Sequence, residues 1–276
     1  MSWHSTESAA EFLDSAGDFL RSRPVENTLL LTIASTIQVR GVDAYGADAP
    51  IFGWWSDGGG AFLQTPPHPL LLSAMPAGRV PELAEFLVKR PLPGVNGLTA
   101  DAEAFAAKWR ELTGAGAVAG MRTRLFRLAT LLPPPAPPGS ARVAGPADRD
   151  LLIEWFGAFQ ADVEGIVRED SAKVVDAMTA YGGLMVWEVD GEVVSMAGVT
   201  RNEAGAVRVA PVYTPPGWRG RGYGAAVTAA VTQGALDAGA EDVVLFTDVA
   251  NPTSNALYER LGYRPIEDRS VLEFQA

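Results

Sequence analysis

The stretch PGWRGRGYGAAV, Pro216–Val227, decides how this chain is read. Between Arg219 and Gly224 it places two arginines and three glycines, then passes directly into small helix formers. A glycine-rich loop before a helix has two uses: it can be a solvent-exposed turn, or it can receive an anion. A helix start leaves about four N–H groups without internal partners and carries partial positive charge. An anion placed there satisfies both. Gly222 and Gly224 have no Cβ, so a phosphate can approach the backbone closely. Both permit positive φ, which lets successive N–H groups converge. Arg219 and Arg221 add counter-charge and forked donors. Two cations on such a loop, in a chain of net charge −11, point to an anion with two phosphates.

The segment Gly220–Ala225, GRGYGA, also fits the dinucleotide pattern G-x-G-x-x-G/A. That pattern belongs in the first strand–turn–helix unit of a long parallel sheet. Here only about fifty residues follow, with one further strand–helix unit. Asp242 lies near the distance at which a ribose-binding acid is required, but it precedes its strand. The P-loop pattern fails, because no Gly-Lys-Ser/Thr follows.

The flanks of the loop carry further signals. Before it runs VRVAPVYT, Val207–Thr214, a strand containing Pro211. Proline cannot donate to a ladder, so this strand cannot pair normally along its whole length. A diverging strand exposes backbone groups from Val212 to Thr214, where an extended amide-bearing arm could pair as an added strand. After the next strand comes DVANPTSNALYERLGY, Asp248–Tyr263. Asn251 before Pro252 is a good N-cap and first-turn pair. Tyr258 follows two helical turns later, about 10.5 Å along the same face, where it can be core or functional.

The chain has 276 residues, enough for about two domains. Hydrophobic residues make up 47%, ample for buried cores. There is no cysteine and only His4 and His68, which excludes disulfides and thiolate chemistry and argues against a metal site. The acidic balance argues against a nucleic-acid surface and mildly favours cationic substrates. The N-terminal stretch lacks a signal-peptide pattern, and no apolar run reaches about 18 residues. A cytoplasmic protein, monomeric or dimeric, is the expectation.

The proline-rich segment LLPPPAPPGS, Leu131–Ser140, favours extended polyproline II and marks a seam. The expected division is a domain at 1–132, a linker at 133–140 and a second domain at 141–276. Downstream, strands and helices alternate. LMVWEVDGEVVSMAGV is a hairpin around Asp190-Gly191, DVVLFTDVA a buried strand, and YRPIED with RSVLEFQA a closing hairpin. The fold class is α/β (α+β): a mixed sheet with helices on its faces. The first half echoes that order. FAAKWRELTG aligns with SNALYERLGY, Trp109 opposite Tyr258, but MPAGRVPEL stands where the glycine loop would be. Internal duplication and chance similarity of short helices both account for this.

Taken together, VYTPPGWRGRGYGAAV and NPTSNALYERLGYRP resemble the GNAT superfamily of acyl-CoA N-acyltransferases. Arg219, Gly222 and Gly224 match the family's Arg/Gln-x-x-Gly-x-Gly/Ala loop. Asn251, Tyr258, Leu261, Gly262 and Tyr263 match its later helix. The likeness covers roughly Ala141–Ala276 and makes the first half look like a degenerate copy. It implies a sheet splayed between its fourth and fifth strands, with acetyl-CoA as cosubstrate in the fork and no metal. Pantetheine would pair with β-strand residues Val212, Tyr213 and Thr214. The diphosphate would lie on the amides of Arg219, Gly220, Arg221, Gly222, Tyr223, Gly224 and Ala225. Asn251 and Asn255 would face the pantetheine arm.

The implied reaction is direct attack of a neutral amine, on a small molecule or a peptide, on the thioester. A carboxylate would take the amine proton. Glu188, Glu203 and Asp248 are candidates; Asp248, at a strand's carboxyl end, is favoured, although a turn also explains it. Tyr258 would donate to the leaving sulfur. The other reading is a regulatory module that binds acyl-CoA without catalysis.

Overall fold

The computed structural model describes residues 1–164 and 170–275. In the first half the order is β1 (Trp3–Thr6), α1 (Ala9–Arg21), α2 (Thr28–Arg40), β2 (Ile51–Trp55), β3 (Ala61–Gln64), β4 (Leu70–Leu72), α3 (Arg79–Leu87), β5 (Gly94–Leu98), α4 (Thr99–Thr113) and β6 (Gly116–Leu128). The second half repeats it: β7 (Ser140–Val143), α5 (Arg149–Glu164), α6 (Ser171–Ala180), β8 (Leu184–Val189), β9 (Glu192–Val199), β10 (Ala206–Tyr213), α7 (Tyr223–Asp237), β11 (Asp242–Asp248), α8 (Pro252–Arg260) and β12 (Tyr263–Gln275). Pairing repeats as well. β3–β4 and β9–β10 are antiparallel, while β4–β5 and β10–β11 are parallel. The echo read from FAAKWRELTG and SNALYERLGY extends to every element of both halves.

The chain forms two compact units that do not follow the sequence midpoint. The first comprises Met1–Leu125, Thr247–Asn251 and Ile266–Ala276; the second comprises Phe126–Phe246 and Pro252–Pro265. The hairpin expected of YRPIED and RSVLEFQA is instead, over Tyr263–Gln275, one continuous strand, β12. Its later residues belong to the first unit, where Arg269–Glu273 pair antiparallel with Gly94–Leu98 of β5. Reciprocally, the end of β6 belongs to the second unit, where Arg127 donates to Asp242 of β11.

In the first unit the strand order is β1-β2-β3-β4-β5-β12-β6. Successive side chains of a strand face opposite ways, and here both faces are covered. Phe52, Leu63 and Leu71 pack under α1 and α2, while Ile51, Phe62, Leu70 and Leu72 pack with α3 and α4. The second unit has the order β11-β10-β9-β8-β7 and the same three layers. Val186 and Met196 pack with α5 and α6, while Trp187, Ala197, Val243 and Leu245 pack under α7. Helix α7 is rich in alanine, with Ala226, Val227, Ala229, Val231 and Ala235 buried, so its backbone lies close to the sheet. Burying each of its valines contributes about 1.5–2 kcal/mol. The β8–β9 turn has the left-handed backbone expected of Asp-Gly, with φ of 50° at Asp190 and 84° at Gly191.

Candidate acyl-coenzyme site

The site begins where a ladder ends. β10 and β11 pair in parallel only at Ala206–Asp242, Val207–Val243 and Arg208–Val244. Both strands continue beyond that point, so among the described residues the edge of β10 from Val209 onward has no β11 partner. On its other side β10 stays joined to β9 through Val212–Ala197 and Tyr213–Met196, with a register shift between Val209 and Val212. Pro211, lacking an N–H, lies inside that irregularity. The divergence expected from Pro211 is present, and it leaves one edge of the Val212–Tyr213 backbone open. The side chain of Tyr213 is buried beside Trp155, so Tyr213 can serve a ligand only through its main chain.

Beyond the open edge the chain makes a single tight turn, Pro216–Trp218, runs extended at Arg219, and enters α7 at Tyr223. Gly220 has φ of 77°, and Gly222, the N-cap, has φ of 86°. An L-residue in this region is strained. A Cβ on Gly220 would meet nothing within 4 Å, and one on Gly222 only Pro137 at 3.9 Å. The concavity is open, as a backbone cradle for an anion requires. Gly222 makes no side-chain cap. Among the described residues, the N–H groups of Gly220–Ala225 have no hydrogen-bond acceptor.

Gly224 departs from the expectation of positive φ. It lies within α7, and a Cβ there would meet Thr214 Oγ1 at 3.2 Å. Its small size serves packing of α7 on the end of β10. Tyr223 also differs: its side chain is buried in the core, edge-on to Trp218 at 5.9 Å, so only its N–H faces the loop. Its phase with Val227 and Val231 was the available signal. Ala225 is partly buried on the same first turn.

The arginines have different surroundings. Arg219 Nε donates to Thr214 O and Nη2 to Asp162 Oδ2, both at 2.8 Å. The Arg221 guanidinium stacks over Trp218, 4.9 Å from the ring centroid. Thr214 is anchored in turn: its Oγ1 and the Oγ of fully buried Ser195 are 2.8 Å apart, and Ser195 Oγ donates to Tyr213 O at 3.1 Å. Sequence reading passed over Ser195. A serine inside the buried run VVSMAGV was the available signal, because an interior hydroxyl requires a partner.

Tyr258 lies on α8, partly buried, edge-on to Tyr263 at 6.1 Å. Burial pushes its phenol up to about 12. Its hydroxyl has no hydrogen-bond partner among the described residues. Tyr263, by contrast, is fully buried and shares a 2.6 Å hydrogen bond with Thr232. Asn255 is partly buried on α8. Asp248 and Asn251 belong to the first unit. Asp248 Oδ1 accepts the Ala250 N–H at 2.8 Å, and Asp248 O accepts the Asn251 N–H at 3.0 Å, forming a turn. Glu188 accepts from Arg142 Nε at 2.7 Å, and the same guanidinium grips Asp148 with two bonds. Glu203 lies in an isolated bridge with Ala206. No group of three or more potential metal ligands gathers among the described residues.

The corresponding place in the first unit is closed. β4 and β5 pair only at Leu70–Val95 and Leu71–Asn96. There, Arg269 of β12 donates from Nη2 to Leu72 O at 2.6 Å and from Nη1 to Glu267 at 3.1 Å. Arg269 is 2% exposed. Gly78, before α3, has ordinary helical φ of −67°, so no glycine cradle forms.

A parallel strand pair that splays beside a glycine loop and a small-residue helix is the arrangement that the GNAT resemblance implies. Comparison with known proteins agrees: residues 149–263 match the model of the Acetyltransferase (GNAT) family. The fold also resembles solved structures over nearly the whole chain, first half included. A GCN5-related N-acetyltransferase from Sphaerobacter thermophilus is 18% identical, with 99% of this chain and 95% of that one covered and a TM-score of 0.60. A Drosophila protein is 14% identical over 99% and 98%, with a TM-score of 0.66. A GNAT-family acetyltransferase from Colwellia psychrerythraea is 12% identical over 99% of each, with a TM-score of 0.59. At these identities the likeness establishes the fold. No curated protein sequence matches the chain. No helix among the described residues is long and apolar enough to cross a membrane.

Proposed function

We propose that residues 141–276 transfer an acetyl group from acetyl-CoA to a primary amine of a small molecule or peptide, and that residues 1–132 are a degenerate copy without a coenzyme site. One observation carries the reading. The β10–β11 ladder ends at Arg208, and just past the open edge six successive residues, Gly220–Ala225, present N–H groups without acceptors among the described residues. An extended amide arm fits the first feature, and a diphosphate fits the second. The Arg269-filled fork and the ordinary backbone at Gly78 support a single coenzyme per chain.

In this reading the backbone of Val212–Thr214 aligns the thioester arm, and the loop amides fix its far end. Tyr258 holds a proton at its hydroxyl, where it can donate to sulfur as negative charge develops there. The base role of Asp248 rests on its place at the end of β11 alone. Its involvement in a turn favours the second reading, in which the domain binds acyl-CoA without catalysis. Thiol release from acetyl-CoA separates the two, measured with polyamines, aminoglycosides, amino acids and peptide N-termini. Release with any amine supports transfer; tight binding without release from any of them supports the second reading.

A further inference from the structure

The motif gives Arg219 and Arg221 one task, phosphate binding, but their surroundings separate them. We propose that Arg219 is a positioning residue: with Asp162 and Thr214 it clamps the glycine loop in its anion-receiving shape, and Arg221 is the cation that faces the diphosphate. This rests on the coenzyme reading above.

The loop has little packing of its own. Gly220 and Gly222 carry no side chain, and their left-handed backbone lies in open space. Its shape must therefore be held from outside. Arg219 does this with both ends of its fork. Nε donates to Thr214 O and Nη2 to Asp162 Oδ2, at 2.8 Å each, and the guanidinium lies 5.7 Å from the Tyr213 ring. These partners lie on α5 and at the end of β10, so the group points back to the scaffold with its charge already answered by a carboxylate. Thr214 is a firm anchor: it is bonded to buried Ser195, and Gly224 at the start of α7 packs against its Oγ1. The clamp and the helix start thus rest on one residue. Arg221 has no carboxylate partner among the described residues, and stacking on Trp218 holds its plane without using its N–H donors. Preorganising a loop in its bound shape reduces the ordering cost of binding.

The test is Asp162→Asn in the full-length protein, with acetyl-CoA and S-acetylpantetheine titrated calorimetrically at several salt concentrations. The two roles predict opposite signs. If Arg219 is a phosphate ligand held back by Asp162, the substitution frees a cation, removes an anion and tightens acetyl-CoA binding. If Arg219 is a clamp, binding weakens by about three-fold, the scale of an exposed ion pair, and Asp162→Glu restores it. The clamp also predicts that Arg219→Gln leaves the salt dependence of acetyl-CoA affinity unchanged, whereas Arg221→Gln reduces it. Arg221→Gln should not alter S-acetylpantetheine binding, since that ligand has no diphosphate. Tighter or unchanged acetyl-CoA binding by Asp162→Asn overturns the clamp. Asp162 is half-exposed, so its variants should fold, and thermal unfolding checks this. If the unaltered protein binds both ligands equally, the coenzyme-loop reading itself fails, which is a separate result.

Discussion

Replacing Tyr258 with phenylalanine removes one oxygen that the protein itself does not use. The hydroxyl has no partner among the described residues, and the ring keeps its edge-on packing against Tyr263. Stability should therefore change by less than about 0.5 kcal/mol. Catalysis should respond differently. With the phenol pushed up to about 12, Tyr258 is a neutral donor throughout the physiological range. A leaving thiolate, whose conjugate acid has a pKa near 8.5, is a stronger acid's anion, so in the proposed transfer Tyr258 would supply a hydrogen bond to developing charge rather than complete proton transfer. A hydrogen bond to a charged group contributes about 1.5–3 kcal/mol, or about 10- to 150-fold in kcat. The assay is thiol release at saturating amine, alongside calorimetric acetyl-CoA affinity, which should hold within about two-fold. Tyr263→Phe is the control. It strands the buried Thr232 hydroxyl, now bonded at 2.6 Å, and should cost about 1–3 kcal/mol of stability with kcat intact. Unchanged kcat in Tyr258→Phe, or an equal loss in Tyr263→Phe, would refute the reasoning.

Raising a phenol's pKa on folding means that the native chain keeps a proton the unfolded chain releases above pH 10. The Tyr258 contribution is thus complete below pH 10 and lost as pH rises through about 12; alkaline urea titrations of wild type and Tyr258→Phe should show it. Asp148 behaves oppositely. The Arg142 guanidinium holds its carboxyl below the usual range, so its contribution is present above that range and lost on acidification through the lowered value. The urea midpoints of wild type and Asp148→Asn should differ at pH 7 and converge below about pH 4. Gly222→Ala forces an L-residue to φ of 86°; it should cost about 1–2 kcal/mol in a denaturant titration and weaken acetyl-CoA more than S-acetylpantetheine. Arg269→Met leaves Glu267 without the guanidinium it pairs with and should destabilise by about 3–5 kcal/mol, measured by chemical unfolding.

Features written in neighbouring residues were legible from sequence. The Asp190-Gly191 turn, the interruption at Pro211 and the left-handed backbone at Gly222 each depend on a few neighbouring positions, and the structure has all three, while Gly224 lies within α7 instead. Features that depend on distant partners were not. Asp162 carries no local mark of its bond to Arg219, 57 residues away. The closing hairpin expected of YRPIED and RSVLEFQA is a single strand, because its later residues pair with β5, far back in the chain. The filling of the first fork by Arg269 follows from that pairing and is equally silent locally. Gly224 and Tyr223 show an intermediate case: the motif identified the positions, while their roles depend on how α7 packs against Thr214 and the core.

The most direct test of the account is isothermal titration of the full-length chain with acetyl-CoA and, separately, S-acetylpantetheine. The account predicts one acetyl-CoA per chain, bound at least ten-fold more tightly than the ligand lacking the diphosphate, with Gly222→Ala erasing most of that preference. Equal affinities for the two ligands, or a preference that survives Gly222→Ala intact, would contradict it.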